Sequence, residues 1–491
     1  MDKTLQRKSV AGVKWLSINT VFNSVSTAFY HFILAILLSP IEFAYLAVIT
    51  LIYRLAPLLG KFGLEEAYIQ QKNINIKQTS SLVFFTVLMS CFTGVLLYIN
   101  SPFIETFYQL ENLTFYVRIL IIAVIAEGFE SIFKSSLRKS FLFKEWAVLS
   151  MLKMALRVVS TVAFISLGFG EFSIVIGIII GSLFSLILFI IISYKKVKFK
   201  IVFYFNIKTV KKFIDFGFPV TGKRVFEIIS QRADEIIIGA FLTSEILGLY
   251  FFGKNLIMQI KTAFSQTFSM VLLPLYTELK ETLTSLRNTY LSITSYTALI
   301  SAPVLVGISL TADMFIPLIF GEKWADSVIV VQVLSIATII PVVTANNSIS
   351  LLYSLKRPFL VFKIEIITSV IYLILLLIAT IKYNDITYVL VLFSLFLLFN
   401  SMLLQHSANK TIKLNMLNLF KSTLPTLISI LIMILIIIVM KRYAIYNWAL
   451  LYKLILVISI GSIVYITTQS LINLKQMKKL YHSLFGKHVK S

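Results

Sequence analysis

Fourteen stretches of roughly twenty or more mostly apolar residues follow one another along this chain. They lie near 11–38, 41–60, 79–99, 114–135, 146–168, 171–194, 213–241, 246–274, 288–310, 327–350, 359–381, 386–407, 422–440 and 448–473. In hydrocarbon a backbone must satisfy its own polar groups, which leaves helices or a closed barrel. The lengths select helices, because a spanning strand needs only about ten residues. The expected fold is an all-α polytopic membrane protein of about fourteen transmembrane helices. Composition points the same way, with 58% hydrophobic and only 14% charged residues, outside soluble usage. The first span follows Lys3, Arg7, Lys8 and Lys14. It is too long for a signal-peptide core and reads as an uncleaved span.

The net charge of +23 raises the question of nucleic acid. Its distribution answers it, because no basic run alternates with aromatics on a soluble domain. Most Lys and Arg sit in the loops on the N-terminal side of the membrane, while the opposite loops hold Lys323, Lys382, Lys441 and Arg442. Acidic residues, including Glu105, Glu111, Glu171, Asp313 and Asp385, collect on that opposite side. The asymmetry places both termini in the cytoplasm, which requires an even number of spans. Only a small basic excess is left inside the spans. Cys91 is the lone cysteine, so neither a disulfide framework nor a thiolate metal site is expected.

A faint repeat organises the chain. Ala35–Tyr45 and Gly239–Tyr250 both end a span, turn in two or three residues and open another. The offset pairs spans one to six with spans seven to twelve, a common transporter plan. The division expected is 1–205 for an N-lobe, 206–410 for a pseudo-symmetric C-lobe, and 411–491 for two further spans and a basic tail. The basic segment 195–212 is the linker between the lobes.

Span seven carries Asp215, Lys223, Arg224, Glu227, Arg232, Asp234 and Glu235. A charge at bilayer depth is costly and survives where it faces protein or water. On a helical wheel Lys223, Arg224, Glu227, Ser230, Gln231, Asp234 and Glu235 share an arc of about 140°, with Arg232 outside it. Span eight places Lys254, Asn255, Gln259, Lys261 and Gln266 on one arc. Span one gathers Asn19, Asn23, Tyr30 and His31, and span two sets Thr50, Arg54 and Lys61 along one face. Several of these charges could pair internally as helix-packing contacts. The excess of cations beside hydroxyls and amides favours a site for something anionic and rich in hydroxyls, since Arg and Lys suit phosphate oxygens. Glu127, Glu227 and Asp234 are candidates for ion coupling. Glu130 and Lys134 read as an i, i+4 pair, and the Gly177-Ile-Ile-Ile-Gly181 motif reads as internal helix packing.

There is no nucleotide-binding Gly-rich loop, no Cys/His metal spacing and no nucleophile elbow. His31, His406, His482 and His488 are too dispersed to build a site by local spacing. No cofactor, no metal and no enzymatic activity are expected.

Four segments resemble the bacterial polysaccharide and oligosaccharide flippase family, in its colanic acid exporter-like branch. They are KSVAGVKWLSINTVFNS (8–24), FGLEEAYIQQKN (62–73), LFKEWA (142–147) and MFIPLIFGEKWADSVIVVQVLSI (314–336). The last is the most specific, with Phe-Gly-Glu-Lys-Trp at an outer turn. The resemblance covers roughly the first 410 residues. It implies the fourteen-helix, two-lobed fold shared with multidrug and toxin extrusion transporters. It also implies translocation of an undecaprenyl-pyrophosphate-linked oligosaccharide from the cytoplasmic to the periplasmic leaflet. The setting would be surface polysaccharide synthesis (capsule, O-antigen or exopolysaccharide) in the bacterial inner membrane. A monomer is expected, with a polysaccharide polymerase and an initiating glycosyltransferase as pathway partners. On that reading Arg54, Lys223, Arg224, Arg232, Lys254 and Lys261 meet the pyrophosphate. Asn19, Asn23, Gln231, Asn255, Gln259 and Gln266 meet sugar hydroxyls. An ion-coupled multidrug antiporter on the same fold stays open, as does a membrane-embedded polymerase or ligase.

Overall fold

A computed structural model describes residues 3–71, 73–444 and 448–474, with the side chains of 3–11, 266–271 and 444 left aside. Among the described residues it is helical throughout, with no strand. The helices are α1 (Lys3–Leu37), α2 (Pro40–Lys61), α3 (Leu64–Gln70), α4 (Ile76–Tyr108), α5 (Leu113–Lys139), α6 (Phe143–Ser166), α7 (Phe172–Ile192) and α8 (Ile207–Phe241). They continue as α9 (Ser244–Leu279), α10 (Leu283–Phe320), α11 (Val328–Ile340), α12 (Asn346–Ser354), α13 (Pro358–Tyr383), α14 (Ile386–Thr411), α15 (Met416–Val439) and α16 (Leu450–Ile472). Eleven segments are long and apolar enough to cross a membrane. Three further helices, α5, α8 and α9, have the length but carry more charge, and they coincide with the fourth, seventh and eighth stretches read from the sequence.

The chain packs as two compact units, Met1–Phe251 and Phe252–Ser491. The sequence division at 205/206 would group α8 with the later helices. By packing, α8 lies on α2, α3 and α4 within the first unit, and the boundary falls inside α9. In the second unit α15 and α16 pack on α10, so the two C-terminal helices share that unit's core through Met433, Ile437, Val457 and Tyr465.

Local signals set the ends of α2. Ser39 and Glu42 form a capping box and Pro40 opens the first turn, which together satisfy donors that a helix start leaves unpaired. At the other end Phe62 and Gly63 adopt left-handed backbone, φ 45° and 64°, and turn the chain into α3. Helix α8 crosses this corner at Gly217. A Cβ on Gly217 would lie 2.2 Å from the Phe62 carbonyl oxygen, and one on Gly63 would lie 2.2 Å from the Gly217 oxygen. Two glycines thus let α8 touch the α2–α3 corner backbone to backbone. Gly217→Val should therefore lower stability by about 1–3 kcal/mol, the cost of overpacking against atoms that cannot move aside. Thermal unfolding in detergent measures this, and an unchanged midpoint would contradict the close approach.

The glycine pair in α7 behaves as its spacing suggests. A Cβ on Gly177 would meet Thr161 Oγ1 at 2.0 Å and one on Gly181 the Lys153 carbonyl at 3.1 Å, so the motif seats α7 on α6 inside the unit. In the second unit the outer turn after α10 is built around Trp324. Gly321 has φ 92°, residues Glu322–Ser327 form a 3₁₀ turn, and the fully buried indole lies against Phe252 with centroids 4.2 Å apart. Pro57, Pro219 and Pro303 sit inside continuous helices, whereas Pro341 opens a π turn between α11 and α12.

Candidate functional site

The first unit contains a buried charge network that joins five helices. Glu127 of α5 accepts from the Tyr53 hydroxyl at 2.8 Å and from Lys61 Nζ at 3.1 Å, both on α2. It also pairs with Lys153 of α6. Lys153 reaches Glu130 Oε2 at 3.3 Å, and Ser185 of α7 donates to the same oxygen. Lys61 holds Glu65 of α3 at 3.1 Å. Burial raises the Glu65 carboxyl, but the charges of Lys61 and then Lys134 outweigh it and hold the group below the usual carboxylate range. Glu130, only 1% exposed, thus takes Lys153 and Ser185 as partners. The i, i+4 pairing with Lys134 expected from the sequence gives way to them, because partners from α6 and α7 reach the buried carboxylate.

A second arrangement lies beside this network and is cationic. Arg54 of α2, Arg157 of α6 and Arg232 of α8 all act electrostatically on the His31 imidazole of α1. Arg54 in turn lies in the field of Arg232, Glu235 and Arg157. Aromatic faces hold two of the three guanidinium groups. Arg157 stands over Tyr30 at 5.1 Å and Tyr53 at 5.7 Å, and Arg232 stands over Phe251 at 5.4 Å while pairing with Glu235 at 2.6 Å. Cation–π contact of this kind holds a guanidinium in place without consuming its hydrogen-bond donors. His31 Nδ1 lies 2.8 Å from the Thr27 carbonyl. A carbonyl only accepts, so Nδ1 carries the proton. Arg54 is exposed and has no ion-pair partner among the described residues.

The structure distributes the expected site residues unevenly. Arg54 and Arg232 join the arginine cluster, although Arg232 fell off the main arc of its wheel. Arg224 pairs with Glu66 of α3 at 2.8 Å, while Lys223, Glu227 and Gln231 are exposed on α8. Asp234, 1% exposed, accepts the Tyr250 hydroxyl. Asn19 and Asn23 bond to each other, with Asn23 Nδ2 2.8 Å from Asn19 Oδ1. In the second unit Lys254 is buried over the Phe393 ring at 5.0 Å and Lys261 lies within its field. Asn255 and Gln259 are half-buried on the same helix, and Gln259 Oε1 is buried without a partner among the described residues. Gln266 lies outside the described residues.

Two members of the arginine cluster were not legible as such. Arg157 shares its span with Lys153, with nothing to separate the two, and His31 reads as part of a polar face. Their only sequence signal is a charge or an imidazole at membrane depth, and neither says which helices stand opposite.

Both arrangements, a buried ion network and a cationic cluster inside a helical bundle, lie in a chain of the multi-span helical membrane class. The family model described as "Polysaccharide biosynthesis protein" matches residues 33–329, and the chain belongs to that family. Teichuronic acid biosynthesis protein TuaB of Bacillus subtilis is 27% identical over 363 residues, 71% of this chain and 72% of its own length. Lipopolysaccharide biosynthesis protein WzxC of Escherichia coli is 21% identical over 370 residues, 75% of each chain. Among solved structures, the inward closed conformation of lipid II flippase MurJ aligns with TM-score 0.74 at 18% identity, covering 95% of this chain and 99% of that one. That likeness fixes the fold.

Proposed function

We propose that the chain is a flippase that moves an undecaprenyl-pyrophosphate-linked oligosaccharide from the cytoplasmic to the periplasmic leaflet by alternating access. The observation that carries the reading is the convergence of Arg54, Arg157 and Arg232 around His31. Three guanidinium groups from three helices offer forked donors, the geometry that suits the oxygens of a pyrophosphate. Family membership in polysaccharide biosynthesis supports a sugar-bearing lipid as the molecule carried. A cationic cluster is a poor receptor for cationic drugs, which favours this reading over a multidrug antiporter.

The pyrophosphate docks on the arginine cluster of the first unit; Lys254 and Lys261 of the second unit are further cations suited to an anionic group. Asn255 and Gln259 on the same helix meet sugar hydroxyls, while the lipid tail remains in the bilayer. Both termini face the cytoplasm, the fourteen helices form two repeated lobes, and the protein works as a monomer in the bacterial inner membrane. Its product passes to a polysaccharide polymerase. With no nucleotide motif in the chain, the drive comes from consumption of product, an ion gradient or the membrane potential. The potential moves one charge by about 2.3 kcal/mol per 100 mV.

Deleting the gene should make lipid-linked repeat units accumulate with their sugars accessible only from the cytoplasmic face, as read by a membrane-impermeant glycan label on oriented vesicles. Units facing the periplasm would instead place the block after translocation and defeat the proposal.

A further inference from the structure

The linker between α7 and α8 carries a feature that transport does not require. After the π turn Ser193–Val197 the chain turns at Lys198, in left-handed backbone, and runs without regular structure to Asn206, which caps α8 by accepting from Lys208 N at 2.9 Å. This run is pinned. Ser80 Oγ accepts from Val202 N at 3.0 Å and Ser81 Oγ from Asn206 N at 3.1 Å, both from the second turn of α4. Phe199, Val210 and Phe213 are buried in the core formed with α3, α4, α5 and α7. The strap is thus a fixed surface at one level, the common end of α4, α7 and α8.

What it displays is basic and aromatic together. Lys195, Lys196, Lys198, Lys200, Lys208, Lys211 and Lys212 are all exposed. Of these, Lys196 pairs with Glu145, and the other six have no ion-pair partner among the described residues. The segment 193–214 contains no acidic residue, and Asp215 is the first beyond it. Between the two lysine groups stand Phe203, 97% exposed, and Phe205, also exposed. Phe203 meets Phe84 edge-on, with ring centroids 5.4 Å apart. The basic residues alone would follow from the charge asymmetry of any inner loop. That asymmetry does not account for two exposed phenylalanines set between the lysine groups on a hydrogen-bonded backbone, an arrangement that suits the acyl boundary of a bilayer.

We propose that residues 194–212 form a docking strap for anionic phospholipid. The lysines engage headgroup phosphates while Phe203 and Phe205 enter the acyl boundary beside them. Juxtamembrane lysine clusters with apolar neighbours bind acidic bilayers through both contributions. The strap joins α7 to α8, so the lipid would hold the helix that carries Arg224 and Arg232 at a set depth.

The test uses the full-length protein, delipidated in neutral detergent micelles carrying either phosphatidylglycerol or phosphatidylcholine, with retained lipid read by native mass spectrometry. The parent should prefer phosphatidylglycerol. A lysine near an anionic surface is worth about fivefold in binding. Lys195→Gln/Lys198→Gln/Lys200→Gln should therefore lower phosphatidylglycerol retention by roughly tenfold or more and leave phosphatidylcholine unchanged. Phe203→Ser/Phe205→Ser should lower retention of both lipids. Equal retention of the two lipids by the parent would overturn the proposal, as would a full preference in the lysine variant. Displacement of the lipid by inorganic phosphate would also overturn it, by revealing a free-anion site. Should the triple variant misfold, Lys208→Gln/Lys211→Gln on the first turns of α8 gives the same reading. An Arg54→Ala protein should retain phosphatidylglycerol as the parent does, which separates this test from that of the transport site.

Discussion

Arg54→Ala should abolish translocation of lipid-linked oligosaccharide while leaving insertion and folding intact. The side chain is exposed on α2, has no ion-pair partner among the described residues, and shares its field with Arg157 and Arg232. Removing it strands no ion-pair partner among the described residues, and stability should change by about 1 kcal/mol or less. Substrate binding should suffer much more. A hydrogen bond to a charged group is worth about 1.5–3 kcal/mol, or roughly ten- to 150-fold in affinity. Arg54→Lys keeps the charge but loses the fork, so it should fall between the two. The measurement is uptake of a short-chain pyrophosphate-linked sugar by proteoliposomes, alongside the melting temperature of each variant. Normal transport by Arg54→Ala would remove the arginine cluster from the substrate path.

Glu127→Ala should have the opposite profile and strike stability first. Its carboxylate is the common partner of Lys61, Lys153 and Tyr53. Deleting one member of a buried ion network leaves uncompensated charge, at a cost of about 3–5 kcal/mol. The companion variant Lys61→Met/Glu127→Leu/Lys153→Met removes the charges together and should recover much of that loss, since apolar replacement of a buried ionic group is often neutral or stabilising. Glu130 would then keep Ser185 as its partner. Glu127→Gln keeps an acceptor for Tyr53 and separates structure from coupling. If Glu127 carries a proton during transport, this variant should fold and bind substrate but lose the pH dependence of transport. A Glu127→Ala protein that melts with the parent would show that the network is not holding α2, α5 and α6 together.

The seven charges of α8 show where sequence reading succeeds and where it stops. A wheel sorted them into a polar arc, and the helix does carry Lys223, Glu227 and Gln231 exposed. It could not assign partners. Arg224 finds Glu66, far away in sequence on α3, and Asp234 takes Tyr250 across the turn into α9. Arg232 lies outside the arc, yet it stands over Phe251 and joins Arg54 and Arg157. Angle on an isolated helix says which residues share a side, but it does not say which neighbouring helix that side meets. The segment 62–73 makes a related point. Part of what makes it recognisable is structural, with Gly63 receiving Gly217, Glu65 holding Lys61 and Glu66 holding Arg224.

The sequence by itself determined the class of fold, because hydrocarbon leaves the backbone almost no alternative to helices and twenty apolar residues are a local signal. It also determined that charge is concentrated in a few spans, and it carried enough pattern for the family to be recognised. Only the tertiary structure decided which of those charges neutralise one another and which have no ion-pair partner among the described residues. Pairing depends on distances between helices remote in the chain, and a buried charge is held or freed by what stands within a few ångströms of it. Lys61, Lys153 and Glu127 thus became a structural network, whereas Arg54, with the same kind of sequence signal on the same helix as Lys61, was left available.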